Sequence, residues 1–204
     1  MKIILLGKPG AGKGTQAQKL AKEEGFEIIS TGDIIRNEIK QETNVGKQIK
    51  QYVSKGELVP DEFVVDLVIS KLAAEKIIFD GFPRTLGQAK FLEEKLNIDK
   101  VIFLHVDDEV VINRIINRVI VVKDGKSCSF KNQEEAKEFV QRNGGEIKQR
   151  KDDSLETIKN RLKVYQENTK PLIDYYKSLN KFESVDSDQS IQEVHDDIIK
   201  KIHS

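Results

Sequence analysis

Residues 7–15 read Gly-Lys-Pro-Gly-Ala-Gly-Lys-Gly-Thr and follow directly on the apolar run Lys2-Ile-Ile-Leu-Leu6. A buried strand here runs into a glycine-rich turn and then into a helix. Such a turn aims backbone N–H groups and a helix N-terminus at one point, which suits a polyphosphate. Gly7, Gly10 and Gly12 let the backbone curl without Cβ clashes. Lys13 adds a point charge, and Thr15 offers a hydroxyl to phosphate or Mg²⁺. Gly7, Gly12 and Lys13 fit the phosphate-loop pattern, but Gly14 stands where that pattern has a hydroxyl, and Thr15 comes one place later. The plainer alternative is a turn that only joins a strand to a helix.

Phosphoryl transfer needs positioning, Mg²⁺ and positive charge around the moving group more than covalent help. An acid at a strand end and several arginines are therefore the residues to seek. The run Ile77-Ile-Phe79 ends in Asp80-Gly-Phe-Pro-Arg-Thr85, and open α/β sheets place ligands at the carboxyl ends of strands. Asp80 can hold the hydration shell of Mg²⁺, and Arg84 can take a phosphate in bidentate fashion. A second turn, Ser30-Thr-Gly-Asp-Ile-Ile-Arg36, caps a helix through Ser30 or Thr31, with Asp33 in its first turn. Arg36 lies about a turn further in, able to face the crevice of Arg84. Arg114 and Arg118 share a helix face, and Arg150 and Arg161 follow a polar stretch, with Asp152 and Asp153 between them. Any one of these arginines alone reads as a solvated charge; together with the loop they read as a clamp. His105, His195 and His203 have no partners at metal or triad spacing, and His105 reads as structural.

The chain has 204 residues, enough for one sizeable core. Lys+Arg and Asp+Glu both number 34, so bulk charge argues for neither a nucleic-acid nor a membrane partner, and any anion site is local. With Cys128 as its single cysteine the chain has no internal disulfide. Lys2–Leu6 is too short for a signal peptide or a membrane span, and the expected location is cytoplasmic.

The elements that must hold these residues alternate. Strands are expected at Lys2–Leu6, Glu27–Ile29, Lys76–Asp80, Lys100–Val106 and Lys181–Val185. Between them lie amphipathic stretches at Thr15–Glu24, Glu62–Ala74, Leu86–Leu96, Glu109–Arg118 and Ser154–Ser178. This is the pattern of a parallel sheet covered by helices. Two segments interrupt it. Ser30–Pro60 carries helix patterns and no strand. Val119–Gln149 is polar and glycine-punctuated, with turns at Asp124-Gly125 and Asn143-Gly144-Gly145, and has the length of a lid or binding loop. Within it Gln133–Gly145 has helical character, grouping Ala136, Phe139 and Val140.

With these residues in view, the chain resembles the adenylate kinases across nearly its full length. The resemblance is carried by the glycine loop with Thr15-Gln-Ala-Gln18, by Ser30-Thr-Gly-Asp33 with Arg36, by Gly81-Phe-Pro-Arg84 with Gln88, and by Arg150-Lys-Asp-Asp153 with Arg161. It implies a single α/β domain over 1–204, a P-loop NTPase-like three-layer sandwich with a five-stranded parallel sheet. Residues 1–29, 60–118 and 150–204 would form the core, 30–59 a helical monophosphate-binding subdomain, and 119–149 the lid in its long form. The reaction implied is MgATP plus AMP giving two ADP, reversibly, in a monomer.

Roles follow from the resemblance by position. Gly10, Ala11, Gly12, Lys13, Gly14 and Thr15 would wrap the ATP phosphates. Arg118 would reach them from the lid side, Arg114 would lie under the adenine, and backbone near Gln189 would touch the ATP base. Thr31, Arg36, Glu57, Leu58 and Val59 would line the AMP pocket, completed by Gly81, Phe82, Pro83 and Arg84. Gln88 would read the adenine edge, since an amide pairs with adenine by one donor and one acceptor. Arg150 and Arg161 would bridge the acceptor phosphate and the transferred group. Lys13, Arg36, Arg84, Arg118, Arg150 and Arg161 form the expected catalytic set, with Asp80 holding Mg²⁺ through water. Many long-lid relatives carry four zinc-binding cysteines; this lid has Cys128 alone, and no zinc is expected. The family's aromatic-His stretch is replaced by Lys126-Ser-Cys-Ser-Phe130. The rival readings are a kinase for another monophosphate or one using GTP, against which Gln88 and Thr31 argue for AMP, and a non-catalytic nucleotide sensor, against which the arginine set speaks.

Overall fold

Isoleucine and leucine fill the strand Lys2–Gly7 (β1) on both of its faces: Ile3, Ile4, Leu5 and Leu6 are all buried. That is what a strand in the middle of a helix-covered parallel sheet requires. The computed structural model describes residues 1–70, 72–148 and 153–204. β1 pairs in parallel with Ile77–Asp80 (β3) on one side and Lys100–His105 (β4) on the other. Glu27–Ser30 (β2) flanks β3, and Phe182–Asp186 (β8) flanks β4, also in parallel, giving the order β2-β3-β1-β4-β8.

Alternate side chains of β1 feed two cores. Ile3 and Leu5 pack with Leu20 of helix Lys13–Glu24 (α1), Ile115 of Asp108–Asn117 (α6), Ile158 of Leu155–Val164 (α8) and Ile198 of Ile191–His203 (α10). Ile4 and Leu6 pack with Ile49 of Asn44–Lys55 (α3), Val68 of Asp61–Ile69 (α4), Leu92 of Leu86–Lys95 (α5) and Tyr176 of Leu172–Ser178 (α9). Helix on sheet on helix is the three-layer arrangement expected.

The segment between β2 and β3 opens with Thr31–Lys40 (α2), which packs against α3. The polar stretch is more regular than its sequence pattern implied. Val119–Lys123 (β5) is the middle of a small antiparallel sheet, with Lys126–Phe130 (β6) and Glu146–Lys148 (β7) at its sides. Asp124 and Gly125 both have positive φ, 49° and 76°, as a two-residue hairpin turn demands. Gln133–Asn143 (α7) closes one face, burying Ala136 and setting Phe139 5.1 Å from Phe130. Its middle strand is the apolar run Val119 to Val122, which the reading of the whole stretch as polar passed over; β6 and β7 are polar and offer no such run.

Two helical expectations are corrected. The helix begun at Asp61 ends at Ile69, short of Ala74. The stretch Ser154–Ser178 is not one helix: Tyr165–Thr169 forms a π turn, with Lys170 N–H donating to Tyr165 O at 2.9 Å, and α9 starts anew after Pro171. Proline has no N–H to give and its ring crowds the carbonyl four residues back, so the helix widens ahead of it.

Candidate functional site

The first turn of α1 differs from most helix starts in the molecule. α2, α3, α5, α7, α8 and α10 begin with a side chain that accepts a backbone N–H: Ser30, Thr43, Thr85, Asn132, Ser154 and Ser190. α1 begins at Gly12 with no side-chain cap and no acid in its first turn. Its first N–H groups therefore face the cleft with the positive end of the helix dipole, a ready anion site. Gly10 is needed for the curl. Its φ is +85°, and a Cβ there would stand 2.8 Å from Ile115 Cγ1 and 3.1 Å from Val111 O.

Lys13 Nζ folds back on this loop, donating to Gly7 O and Lys8 O, both at 2.8 Å. Burial lowers its pKa to about 8, against the pull of Asp80, while Arg84, Arg161 and Arg118 press it further down. Asp80, at the end of β3, shows the opposite shift: burial pushes its carboxyl up, opposed by Lys13 and Arg84. A Cβ on Gly14 would lie 3.3 Å from Asp80 Oδ2. Glycine at this position thus lets the carboxylate sit close against the loop, and the hydroxyl moves to Thr15. Asp80 and Thr15 both line the cleft. A carboxylate and a hydroxyl are hard oxygen donors of the kind Mg²⁺ takes when phosphates and water complete its shell, so these residues fit that ion. Among the described residues no cluster of three or more His, Cys, Asp or Glu side chains is placed to hold a metal.

A cleft of about 650 Å³ opens at the carboxyl ends of the strands. It is lined by Gly10, Ala11, Gly12, Lys13, Gly14, Thr15, Arg36, Leu58, Asp80, Gly81, Pro83, Arg84, Arg114, Arg118, Arg161 and Gln189, all anticipated from the sequence. Cationic side chains dominate it, so a chain of zero net charge carries a locally positive site. Arg36 pairs with Asp33 at 2.5 Å. Arg114 donates to Ser187 O at 2.9 Å. Arg84 Nε donates to Gly81 O at 2.8 Å, and Thr169 Oγ1, presented by the π turn, donates to Arg84 O at 2.9 Å.

A side cavity of about 80 Å³ continues from the cleft, lined by Thr31, Arg36, Glu57, Leu58, Val59, Gly81, Arg84, Gln88 and Arg161 among others. Ser30, not Thr31, caps α2; Thr31 Oγ1 instead donates to Gly81 O at 2.7 Å, tying α2 to the turn after β3. Phe82 differs from the expectation. It is buried in the core, 6.4 Å from Phe79, and lines neither cavity, because an aromatic ring gains most by joining that core. Arg150 lies outside the described residues.

The small antiparallel unit reaches across to the cleft. Its residues Ser127, Ser129, Phe130 and Lys131 line the cleft. Asn37 of α2 donates to Gly125 O at 3.1 Å, and Gln18 of α1 donates to Ser127 O at 2.8 Å. Three polar residues at the site escaped sequence reasoning. Asp153 joins Arg118 and Arg161, Asp61 holds Gln88, and Thr169 holds Arg84. Asp153 carried a signal, its place in the run Arg150-Lys-Asp-Asp153; the other two carried none. His105 is exposed; its carbonyl accepts from Ser187 N–H at 2.8 Å, and its ring meets Phe103 edge-on.

Comparison with known proteins agrees with this geometry. The family model described as adenylate kinase matches residues 5–181. The chain is 43% identical over 204 residues to an adenylate kinase of Carboxydothermus hydrogenoformans, covering 95% of each chain. It is 47% identical over 188 residues to that of Caldicellulosiruptor bescii, covering 87% of each. It is 45% identical over 186 residues to that of Mesoplasma florum, covering 87% of this chain and 88% of the relative. Among the described residues no helix is long and apolar enough to cross a membrane.

Proposed function

The chain belongs to the adenylate kinase family and transfers a phosphoryl group reversibly between MgATP and AMP, and we propose that ATP occupies the main cleft over the glycine loop while AMP occupies the side cavity beneath α2 and α3. One observation carries this assignment. The two cavities share Arg36, Arg84 and Arg161, so nucleotides entering from the two sides bring their phosphates together at the same guanidinium groups.

The acceptor is an anionic oxygen of the AMP phosphate, and no strong base is required. It forms a bond to the γ-phosphorus of ATP while the bond from that phosphorus to the β-bridging oxygen breaks, leaving two ADP. The N–H groups of Gly12 to Thr15 and Lys13 Nζ hold the donor phosphates. Arg84, Arg36, Arg161 and Arg118 neutralise charge and set the in-line approach; Arg150 joins them by the same reading. Asp80 and Thr15 would hold Mg²⁺, which the family uses with ATP, and the ion would supply positive charge to the donor phosphates. Arg114 and the backbone at Gln189 flank the donor base.

Residues 30–59 act as the acceptor subdomain and 119–149 as the lid, whose closure keeps water from taking the phosphoryl group; adenylate kinases are a familiar case of such closure. The enzyme works as a monomer on cytoplasmic nucleotides by this reading, which the family resemblance supports, and light scattering of the purified enzyme checks the former. Arg84→Ala is the test of the shared-arginine reading. ADP formation should fall by about 10²–10³-fold in a protein that melts like wild type. Near wild-type turnover would sink it.

A further inference from the structure

Asp61 opens α4 and faces the start of α5. Its carboxylate takes two hydrogen bonds there. Oδ2 accepts from Thr85 Oγ1 at 2.8 Å, and Oδ1 accepts from Gln88 Nε2 at 2.7 Å. At the other end of the same amide, Gln88 Oε1 accepts from Arg84 N–H at 2.7 Å. Gln88 is only 2% exposed and borders the acceptor cavity.

These partners leave the amide one orientation. A carboxylate only accepts and a backbone N–H only donates. Turning Gln88 over would set its oxygen against Asp61 and its NH₂ against the Arg84 N–H. Two hydrogen bonds, one of them charge-assisted, would become two repulsions in a buried place. Among the described residues each end of the amide keeps one unused valence, a second N–H and a second lone pair. Donor and acceptor are therefore offered to a ligand in a fixed order.

That order separates two classes of purine. Adenine presents a ring-nitrogen acceptor beside an amine donor. A 6-oxopurine presents the reverse on its N1–C6 edge, an N–H donor beside a carbonyl acceptor. A freely turning glutamine satisfies either by flipping; a locked one satisfies only one. We propose that Asp61 is a specificity-determining positioning residue, which locks the Gln88 amide so that the acceptor site takes 6-aminopurine monophosphates and refuses 6-oxopurine ones. This rests on the reading that Gln88 meets the acceptor base.

Steady-state rates with MgATP and either AMP or IMP as acceptor test it in wild type, Gln88→Ala, Asp61→Ala and the double variant. The readout is the ratio of kcat/KM for AMP over IMP, which a general loss of stability does not move. Gln88→Ala and Asp61→Ala should each lower that ratio by about tenfold or more, and adding Asp61→Ala to Gln88→Ala should change it less than twofold. An unchanged ratio in Asp61→Ala, or an equal further fall in the Gln88→Ala background, overturns the lock. An unchanged ratio in Gln88→Ala overturns instead the reading that this amide meets the base. Where Asp61→Ala does not fold, Asp61→Asn serves. Its amide matches Gln88 in either orientation while keeping the shape and leaves the Arg84 N–H alone to orient that amide, so the ratio should again fall, and a folded Asp61→Asn with wild-type selectivity counts against the proposal.

Discussion

Arg118, at the end of α6, and Asp153, just before α8, share two hydrogen bonds, Nε to Oδ2 at 2.8 Å and Nη2 to Oδ1 at 2.5 Å. Both side chains are largely buried. Arg161 Nη1 approaches the same Oδ1 at 3.5 Å. One carboxylate thus holds two of the guanidinium groups that line the cleft, and on the reading proposed above a substrate phosphate competes with it for them.

Removing that carboxylate should be felt most in the enzyme without nucleotide. Asp153→Ala deprives the buried Arg118 of its bidentate acceptor, at a cost of about 2–4 kcal/mol in unfolding free energy. A bisubstrate analogue linking ATP to AMP supplies phosphate oxygens in its place. The gap in melting temperature between wild type and variant should therefore narrow when the analogue is bound. An equal gap with and without it would show Asp153 to be a purely structural partner.

The lowered pKa of Lys13 makes two predictions of opposite sense. In the free enzyme its ammonium is lost as pH rises through about 8, so affinity for the ATP anion should weaken above that pH. Calorimetric titrations at pH 7 and 9 measure this, and Lys13→Ala should abolish that part of the difference. Stability runs the other way. Between about 8 and the ordinary value of 10.5 the unfolded chain holds a proton that the folded one has released. The Lys13 contribution to stability therefore rises with pH across that window. At neutral pH Lys13→Ala should cost activity by about 10²–10³-fold without loss of fold; turnover near wild type would remove Lys13 from the site.

Gly10→Ala should damage the loop from within. The residue must keep φ near +85°, and its new methyl group meets Ile115 Cγ1 at 2.8 Å. Positive φ and overpacking together should cost about 2–4 kcal/mol. Denaturant unfolding measures that loss, and a wild-type midpoint would mean that α6 yields without strain.

Much of this was legible in the chain. Each of the five expected strands lies within about two residues of an observed strand of the sheet; the central strands β1, β3 and β4 are apolar runs largely buried on both faces, while the edge strands β2 and β8 are shorter on apolar residues and partly exposed. The glycine loop and the turn Asp80 to Thr85 were equally plain, since strand, turn and cap chemistry act over a few neighbouring residues. The segment Val119–Gln149 was legible only as an interruption. Its strands Lys126–Phe130 and Glu146–Lys148 are polar, and they are strands because β5 offers both of its edges for antiparallel backbone pairing. The break at Tyr165–Thr169 was missed because apolar spacing reads straight through Pro171.

The sequence by itself determined that a phosphate-binding loop, an acid at a strand end and a set of arginines belong to one α/β domain. These are local devices whose meaning survives without knowing what lies opposite. Which carboxylate meets which cation, and which way an amide points, was decided only by the tertiary structure. Asp61 and Gln88 are 27 positions apart, and Arg118 and Asp153 are 35. Such pairs meet only once the strand order and the packing of α4, α5, α6 and α8 have set their distances, and a hydrogen bond depends on tenths of an ångström that no residue spacing encodes.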